Sequence, residues 1–291
     1  MEKSPLLRRV NEIKKEGRPD YESMIADFLK DPRMSQSSMK KFLISPWDFI
    51  QYKEERKYDD APHYDKGNVF ELLLLEPEKA DETIVEMPLY AGAGCVAKRK
   101  EFREANPGKV CVTGELIDEG FAMFKSAINH DDVLELLERK AAAQEVIDWT
   151  DPETKIRNRS ILDFRSDWYE PQPFICDVKT ATSAERQQFQ KAIFNFDYVL
   201  QAGAYCAAAH FKKFVYPEYY WLVIENKEPY GINRFRCDPN LVAEGKRIYL
   251  EGLKAFKYCK EHNLWHESHS FWRFLSPYEI VAKPAWFRSK I

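Results

Sequence analysis

Apolar and polar positions along this 291-residue chain change period near residue 144. Before that point the spacing is helical. MSQSSMKKFLISPWDFIQY (34–52) opens with serines suited to capping a helix, carries Met39, Phe42 and Leu43 at helical spacing, and is broken by Pro46. GNVFELLLLE (67–76) predicts a short buried helix stopped by Pro77. Residues 89–113 hold Gly92, Gly94, Pro107 and Gly108 and predict loops. Residues 115–143 predict one long amphipathic helix, with Leu116, Phe121, Phe124, Ile128, Leu134 and Leu137 as core candidates.

From residue 144 the chain reads as strands and turns. QEVIDWT (144–150) alternates, DPETK (151–155) turns, and IRNRSILDFRSDWYE (156–170) is a second extended run. PQP (171–173) turns again before FICDVKT (174–180), a third strand. Residues 183–196 and 198–211 are helical, EYYWLVIEN (218–226) and YGINRFRCD (230–238) form a hairpin, and 239–262 closes with a helix that has Pro239 near its first turn. This order predicts a mixed α/β fold, a central mixed sheet with flanking helices. It fits a single domain over 35–291 preceded by a charged arm or helix at 1–34.

Composition narrows the class. The chain is 44% hydrophobic and 31% charged, an ordinary globular balance that excludes a disordered chain. The formal net charge of -3 means that any nucleic-acid surface is a local patch. The six cysteines form no C-x-x-C pair, so neither a disulfide framework nor a cysteine zinc site is expected. The sequence shows no signal peptide and no apolar run long enough to span a bilayer, which predicts a cytoplasmic protein with no membrane partner.

The chemistry concentrates between Asp167 and Lys179. Alternate residues of a strand share a face, so Asp177 and Lys179 point one way and Val178 the other. Asp167 precedes Asp177 by ten residues, with turn chemistry between them that can set the two aspartates side by side. Strand alternation also puts Asp163, Arg165 and Asp167 on one face, which leaves Asp163 as an alternative. Paired carboxylates at a strand end suit Mg2+, and a neighbouring lysine can orient an attacking water. A D-x-K triplet alone is more often a solvated ion pair. Here it lies on an otherwise apolar strand.

Other segments, taken in order, give the triplet its context. The chain resembles the PD-(D/E)XK nuclease superfamily, with a restriction-endonuclease-like core, and more closely its lambda exonuclease and RecE-like (exonuclease VIII) branch. MSQSSMKKFLISPWDF is similar to that branch's serine-rich helix start, KGNVFELLLLEPE to its glycine-led helix, and QEVIDWTDPETK to the strand and turn that follow. FRSD is similar to its R-x-D element, DVKTATSA to D-x-K-T, and Gln201-Ala-Gly-Ala-Tyr205 to Q-x-x-x-Y. The R-x-D match favours Asp167 over Asp163. Where the RecE-like pattern carries histidine on the glycine-led helix, this chain has Glu71; the lambda branch uses a glutamate there. Glu71 lies among Phe70 and Leu72 to Leu75, where an unpartnered charge would be costly to bury.

The resemblance implies a metal-dependent DNA exonuclease in which Glu71, Asp167, Asp177 and the Val178 carbonyl hold Mg2+, with Mn2+ as a substitute, and Lys179 orients the water. Thr180, next to Lys179, could donate to a phosphate or cap the next helix. The resemblance places Gln201 and Tyr205 beside the active centre, contacting the DNA or supporting the site, and implies DNA contacts from Ser37 and Arg165. Ser35 and Ser38 compete with Ser37 for that role, and all three serines could cap a helix. It further implies 5′-to-3′ digestion of double-stranded DNA ends, a homo-oligomer, and a single-strand annealing recombinase as partner, in recombination or phage DNA metabolism. The alternatives are a structure-specific or restriction-like endonuclease and a non-catalytic DNA-binding relative. His262, His266 and His269, spaced four and three apart, match no complete metal motif and read as solvated histidines near a helix end.

Overall fold

A computed structural model describes residue 28, residues 33–54 and residues 62–265. Most of the arm predicted at 1–34, together with His266 and His269, lies outside these residues. The N-terminal part holds β1 (Arg33–Met34), α1 (Gln36–Ile44), α2 (Pro46–Glu54), α3 (Pro62–Leu75), α4 (Ala80–Thr83), β2 (Ile84–Glu86), α5 (Cys95–Ala105), β3 (Val110–Val112), α6 (Gly114–Ile128) and α7 (Asp131–Glu138). Then come β4 (Ala142–Thr150), β5 (Arg157–Arg165), β6 (Phe174–Ala181), α8 (Arg186–Asn195), α9 (Tyr198–Lys213), β7 (Glu218–Glu225), β8 (Ile232–Arg236) and α10 (Pro239–Glu261).

The main sheet runs β1-β5-β6-β7-β8, with β4 also paired to β5. β4, β5 and β6 form the antiparallel meander that the alternation predicts. β6 and β7 are parallel over their whole length, from Phe174 opposite Glu218 to Ala181 opposite Glu225. Parallel neighbours need a crossover, and α8 and α9 supply it. The sheet is therefore mixed and covered by helices on both faces. Phe174, Cys176 and Val178 of β6 join Phe70 and Leu74 of α3, Met123 of α6 and Leu136 of α7 in one core layer. Ile175 joins Tyr219, Trp221 and Val223 of β7 and the alanines of α9 in the other.

Three predicted boundaries move. The helix expected over 115–143 is two helices, because Asn129 and His130 interrupt it. Their backbone N–H groups turn back onto Ser126 and Ala127 instead of continuing the helix. The loop-rich stretch 89–113 holds α5 and β3, the latter paired with β2 in a small second sheet. The helix expected from residue 67 begins at Pro62. Among the described residues no helix is long and apolar enough to cross a membrane.

Helix α9 is buried from Val199 through Ala209, and its run of small side chains suits a helix with no solvent face. Against α10 it packs backbone to backbone. A Cβ on Gly203 would stand 2.1 Å from the Gly245 carbonyl carbon, and one on Gly245 would stand 2.0 Å from the Val199 carbonyl oxygen. Alanine favours an exposed helix over glycine by about 1 kcal/mol. Here the clash with rigid backbone outweighs that gain. Gly203→Ala and Gly245→Ala should each destabilise the protein by about 3 kcal/mol in urea unfolding. A variant as stable as the wild type would contradict this packing.

Candidate active site

β5 is paired with β4 along its whole length, but its other edge is not. Its edge facing β6 pairs only at Phe164 opposite Cys176 and Arg165 opposite Ile175, and near its start it pairs with β1 at Arg157 and Asn158. Between these contacts the ladder opens. Asp163 stands at the opening, where its Oδ2 accepts a hydrogen bond from the Val178 N–H at 2.7 Å. One register step beyond Phe164–Cys176, Asp163 faces Asp177, within hydrogen-bonding reach of it. Two carboxylates are thus forced together where the strands part.

Asp177 is fully buried, and its two oxygens have different partners. Oδ1 accepts from the Gln201 side-chain amide at 2.6 Å, and Oδ2 lies 2.5 Å from Lys179 Nζ. The same Gln201 amide nitrogen lies 3.3 Å from the Tyr205 hydroxyl, as four-residue helical spacing allows. Lys179 is 17% exposed and its ammonium stands 4.9 Å over the Tyr198 ring. Among the described residues, Asp177 Oδ2 has no partner apart from Lys179.

Glu71 arrives from α3, and a glycine brings that helix close. A Cβ on Gly67 would lie 3.1 Å from Thr180 Oγ1, so α3 rests against β6 at a distance a larger residue would disturb. Glu71 follows Gly67 by four residues and shares its face. Its Oε1 accepts from the Gln144 side-chain amide at 2.8 Å, and its charge is felt by both Asp163 and Asp177.

The electrostatics record this crowding. Desolvation pushes the Asp163 carboxyl well above the usual range, and the charges of Asp177 and Glu71 add to it. Desolvation raises Asp177 as well, opposed by the Lys179 ammonium. Glu71 is raised by burial, partly countered by the Gln144 hydrogen bond. Burial would lower Lys179, but Asp177 and Asp163 more than offset it, so the lysine stays charged.

Such a donor set fits a divalent cation. Among the described residues no three acidic, histidine or cysteine side chains already converge as a complete metal shell. Mg2+ needs no such shell, since it binds through one or two carboxylates with water and phosphate filling the rest. Asp163 and Asp177 offer two hard carboxylates that could ligate such an ion, and the buried Oδ2 of Asp177 is ion-paired with Lys179.

The predicted residues divide accordingly. Glu71, Asp177, Lys179, Gln201 and Tyr205 come together with Asp163. Asp167 does not join them: β5 ends at Arg165, and Asp167 is exposed in the following turn, where its Oδ1 accepts from the Tyr169 N–H at 2.9 Å. Arg165 is paired with Glu145 and stacks on Trp168, its guanidinium 4.6 Å from the ring. The N–H of Val178 serves Asp163. Thr180 packs on Gly67, across β6 from the face that Asp177 and Lys179 share. Ser35 caps α1, Ser38 is buried beside Lys53, and Ser37 is hydrogen-bonded by the Tyr52 hydroxyl at 3.3 Å.

Three neighbours have no clear sequence signal. Gln144 holds Glu71. Tyr198 lies beneath Lys179. Lys40 of α1, placed by a hydrogen bond to the Phe196 carbonyl, stands near enough to Lys179 and Asp197 to feel both charges. His262 stacks on Tyr258, 4.0 Å between ring centroids, at the end of α10.

The crowding has a cost that a variant can expose. A carboxyl raised in the folded state contributes stability at acid pH and loses it as pH rises through its folded value. Asp163→Asn keeps the acceptor for the Val178 N–H and removes one of the repelling charges. In metal-free buffer at neutral pH this variant should be more stable than wild type by about 1 kcal/mol. The gap should close at acid pH. Equal stabilities across the range, measured by thermal melting, would contradict the repulsion.

The comparisons bear on the fold and the family. No curated protein matches the chain. The crystal structure of a "Putative exonuclease" from Eubacterium rectale shares the fold with a TM-score of 0.57 at 12% identity, over 92% of this chain and 96% of that one. The profile of a PDDEXK-like domain of unknown function (DUF3799) matches residues 35–269. Because that profile spans most of its length, the chain belongs to this PDDEXK-like family.

Proposed function

We propose that the protein is a Mg2+-dependent deoxyribonuclease that hydrolyses phosphodiester bonds at duplex DNA ends, with Mn2+ able to replace Mg2+. The observation that carries the reading is the pair Asp163 and Asp177 facing each other across the strand split with Lys179 beside them. Asp163 and Asp177 would hold the ion, assisted by Glu71 and with the Val178 carbonyl as a candidate backbone ligand. A bound divalent ion stabilises the negative charge that develops on the phosphoryl oxygens and makes its water more acidic.

The chain's own groups do the rest. Lys179 keeps its proton between two carboxylates, so its ammonium donates to the attacking water or to a phosphate oxygen and orients it. Gln201 fixes Asp177 through Oδ1 and leaves Oδ2 to Lys179 and the ion. Tyr205 supports Gln201 from the next helical turn. Ser37 and Lys40, both on α1, are candidates for contacting the DNA backbone. An exonuclease of the lambda and RecE-like kind, acting 5′-to-3′ as an oligomer and feeding an annealing recombinase, is the reading we favour. It is supported by the order of motifs along the chain.

Two substrates test it. With Mg2+, end-labelled linear duplex should be degraded while a covalently closed circle of the same sequence survives. Cutting of the circle would replace the exonuclease with an endonuclease. Lys179→Met and Asp163→Asn should each lower the rate at least about 100-fold. Asp167→Asn should stay within about threefold of wild type, as expected of an exposed turn residue. Loss of activity in Asp167→Asn with full activity in Asp163→Asn would reverse the assignment of the aspartates.

A further inference from the structure

Gln144 is the only non-glycine residue with positive φ that lies inside a strand among the described residues, at φ 49° in β4. The other five stand in loops, in turns or at helix ends. No inserted residue accounts for it. Ala143 opposes Phe164 and Glu145 opposes Leu162, so the count on the two strands is equal and Gln144 falls opposite Asp163. A side-chain-bearing residue adopts this left-handed conformation only against a steric penalty, and such strain persists where the surroundings over-determine it.

What the conformation accomplishes is visible at the far end of the side chain. The amide Nε2 donates to Glu71 Oε1 at 2.8 Å, linking β4 to α3 across 73 residues of chain. The bond occupies one carboxylate oxygen and leaves Oε2 available. Glu71 otherwise stands on a helix whose neighbouring side chains are leucines and a phenylalanine, which offer it no hydrogen bond. A carboxylate on a three-torsion side chain has several rotamers, and only some face Asp177.

We propose that Gln144 is a positioning residue: its amide, aimed by the left-handed backbone, fixes the Glu71 carboxylate toward the ion held by Asp163 and Asp177. The inference rests on the metal-dependent reading above. Groups that hydrogen-bond a metal-facing carboxylate without touching the ion commonly change metal affinity by 10- to 100-fold when removed.

Glycine and asparagine separate this role from a merely structural one. Glycine adopts positive φ freely, so in Gln144→Gly the relief of the backbone offsets part of the cost of leaving Glu71 without its hydrogen bond, and the variant should still fold and melt cooperatively in metal-free buffer. Asparagine also tolerates the conformation but is one methylene shorter, so Gln144→Asn should fold and fail to hold Glu71 in place. Mn2+ binding by titration calorimetry should weaken about 10-fold in both variants. In a Glu71→Gln background the same substitutions should change Mn2+ affinity by less than about twofold, because the group they position is gone.

Wild-type Mn2+ affinity in both Gln144 variants would overturn the inference while leaving the nuclease reading intact. A full loss that persists in the Glu71→Gln background would overturn it too, by showing that Gln144 acts elsewhere. No Mn2+ binding by the wild-type protein would remove the metal-dependent reading and this inference together.

Discussion

Repulsion between carboxylates held together at a strand split is the constraint on which this site depends. Asp163 and Asp177 meet because β5 and β6 stop pairing beyond Phe164 and Cys176, and neither can turn away. Asp163 is tied to the Val178 N–H and Asp177 to Gln201. In the low dielectric of a buried site that arrangement raises the cost of both charges. Lys179 offsets part of it from the same strand, two residues from Asp177. A sheet built only for stability would place apolar residues here, as β6 does at Phe174, Ile175 and Val178. On the proposed reading, the unrelieved negative charge suits the site to a divalent cation, and the Lys179 ammonium is the group that would face a phosphate.

Holding those groups still requires close approach of whole elements, and glycines set the distances. Gly67 lets α3 lie on Thr180, which brings Glu71 to the site one turn later. Gly203 and Gly245 let α9 and α10 meet at their backbones, which fixes the helix that delivers Gln201. Between them, the polar side chains come from four separate pieces of chain: α3, β4, the β5–β6 pair and α9. Each is anchored by its own core contacts, so the geometry is set before any ligand arrives.

Much of this was legible in the residues. Alternation in FICDVKT put Asp177 and Lys179 on one face, and the spacing of Gln201 and Tyr205 put both on one helix face; both placements hold in the fold. The aspartate on β5 was the harder assignment. Asp163, Arg165 and Asp167 share a parity, and the R-x-D resemblance pointed to Asp167. What separates the two in the fold is where the β5–β6 ladder ends, which is a property of two strands and not of one. Gln144 left no signal, since nothing in QEVIDWT marks a non-glycine residue for positive φ. The break at Asn129–His130 was similarly faint inside a helical pattern that continues on both sides.

The central claim is that Asp163 and Asp177, at the split, are the metal-binding pair. Crystals grown with Mn2+ and measured for anomalous scattering test it most directly. The account predicts a peak within ligand distance, about 2.0–2.2 Å for a small hard cation, of one oxygen from each of Asp163 and Asp177. A peak held by Asp167 with Asp163 unliganded, or no peak at the split at saturating Mn2+, would contradict it.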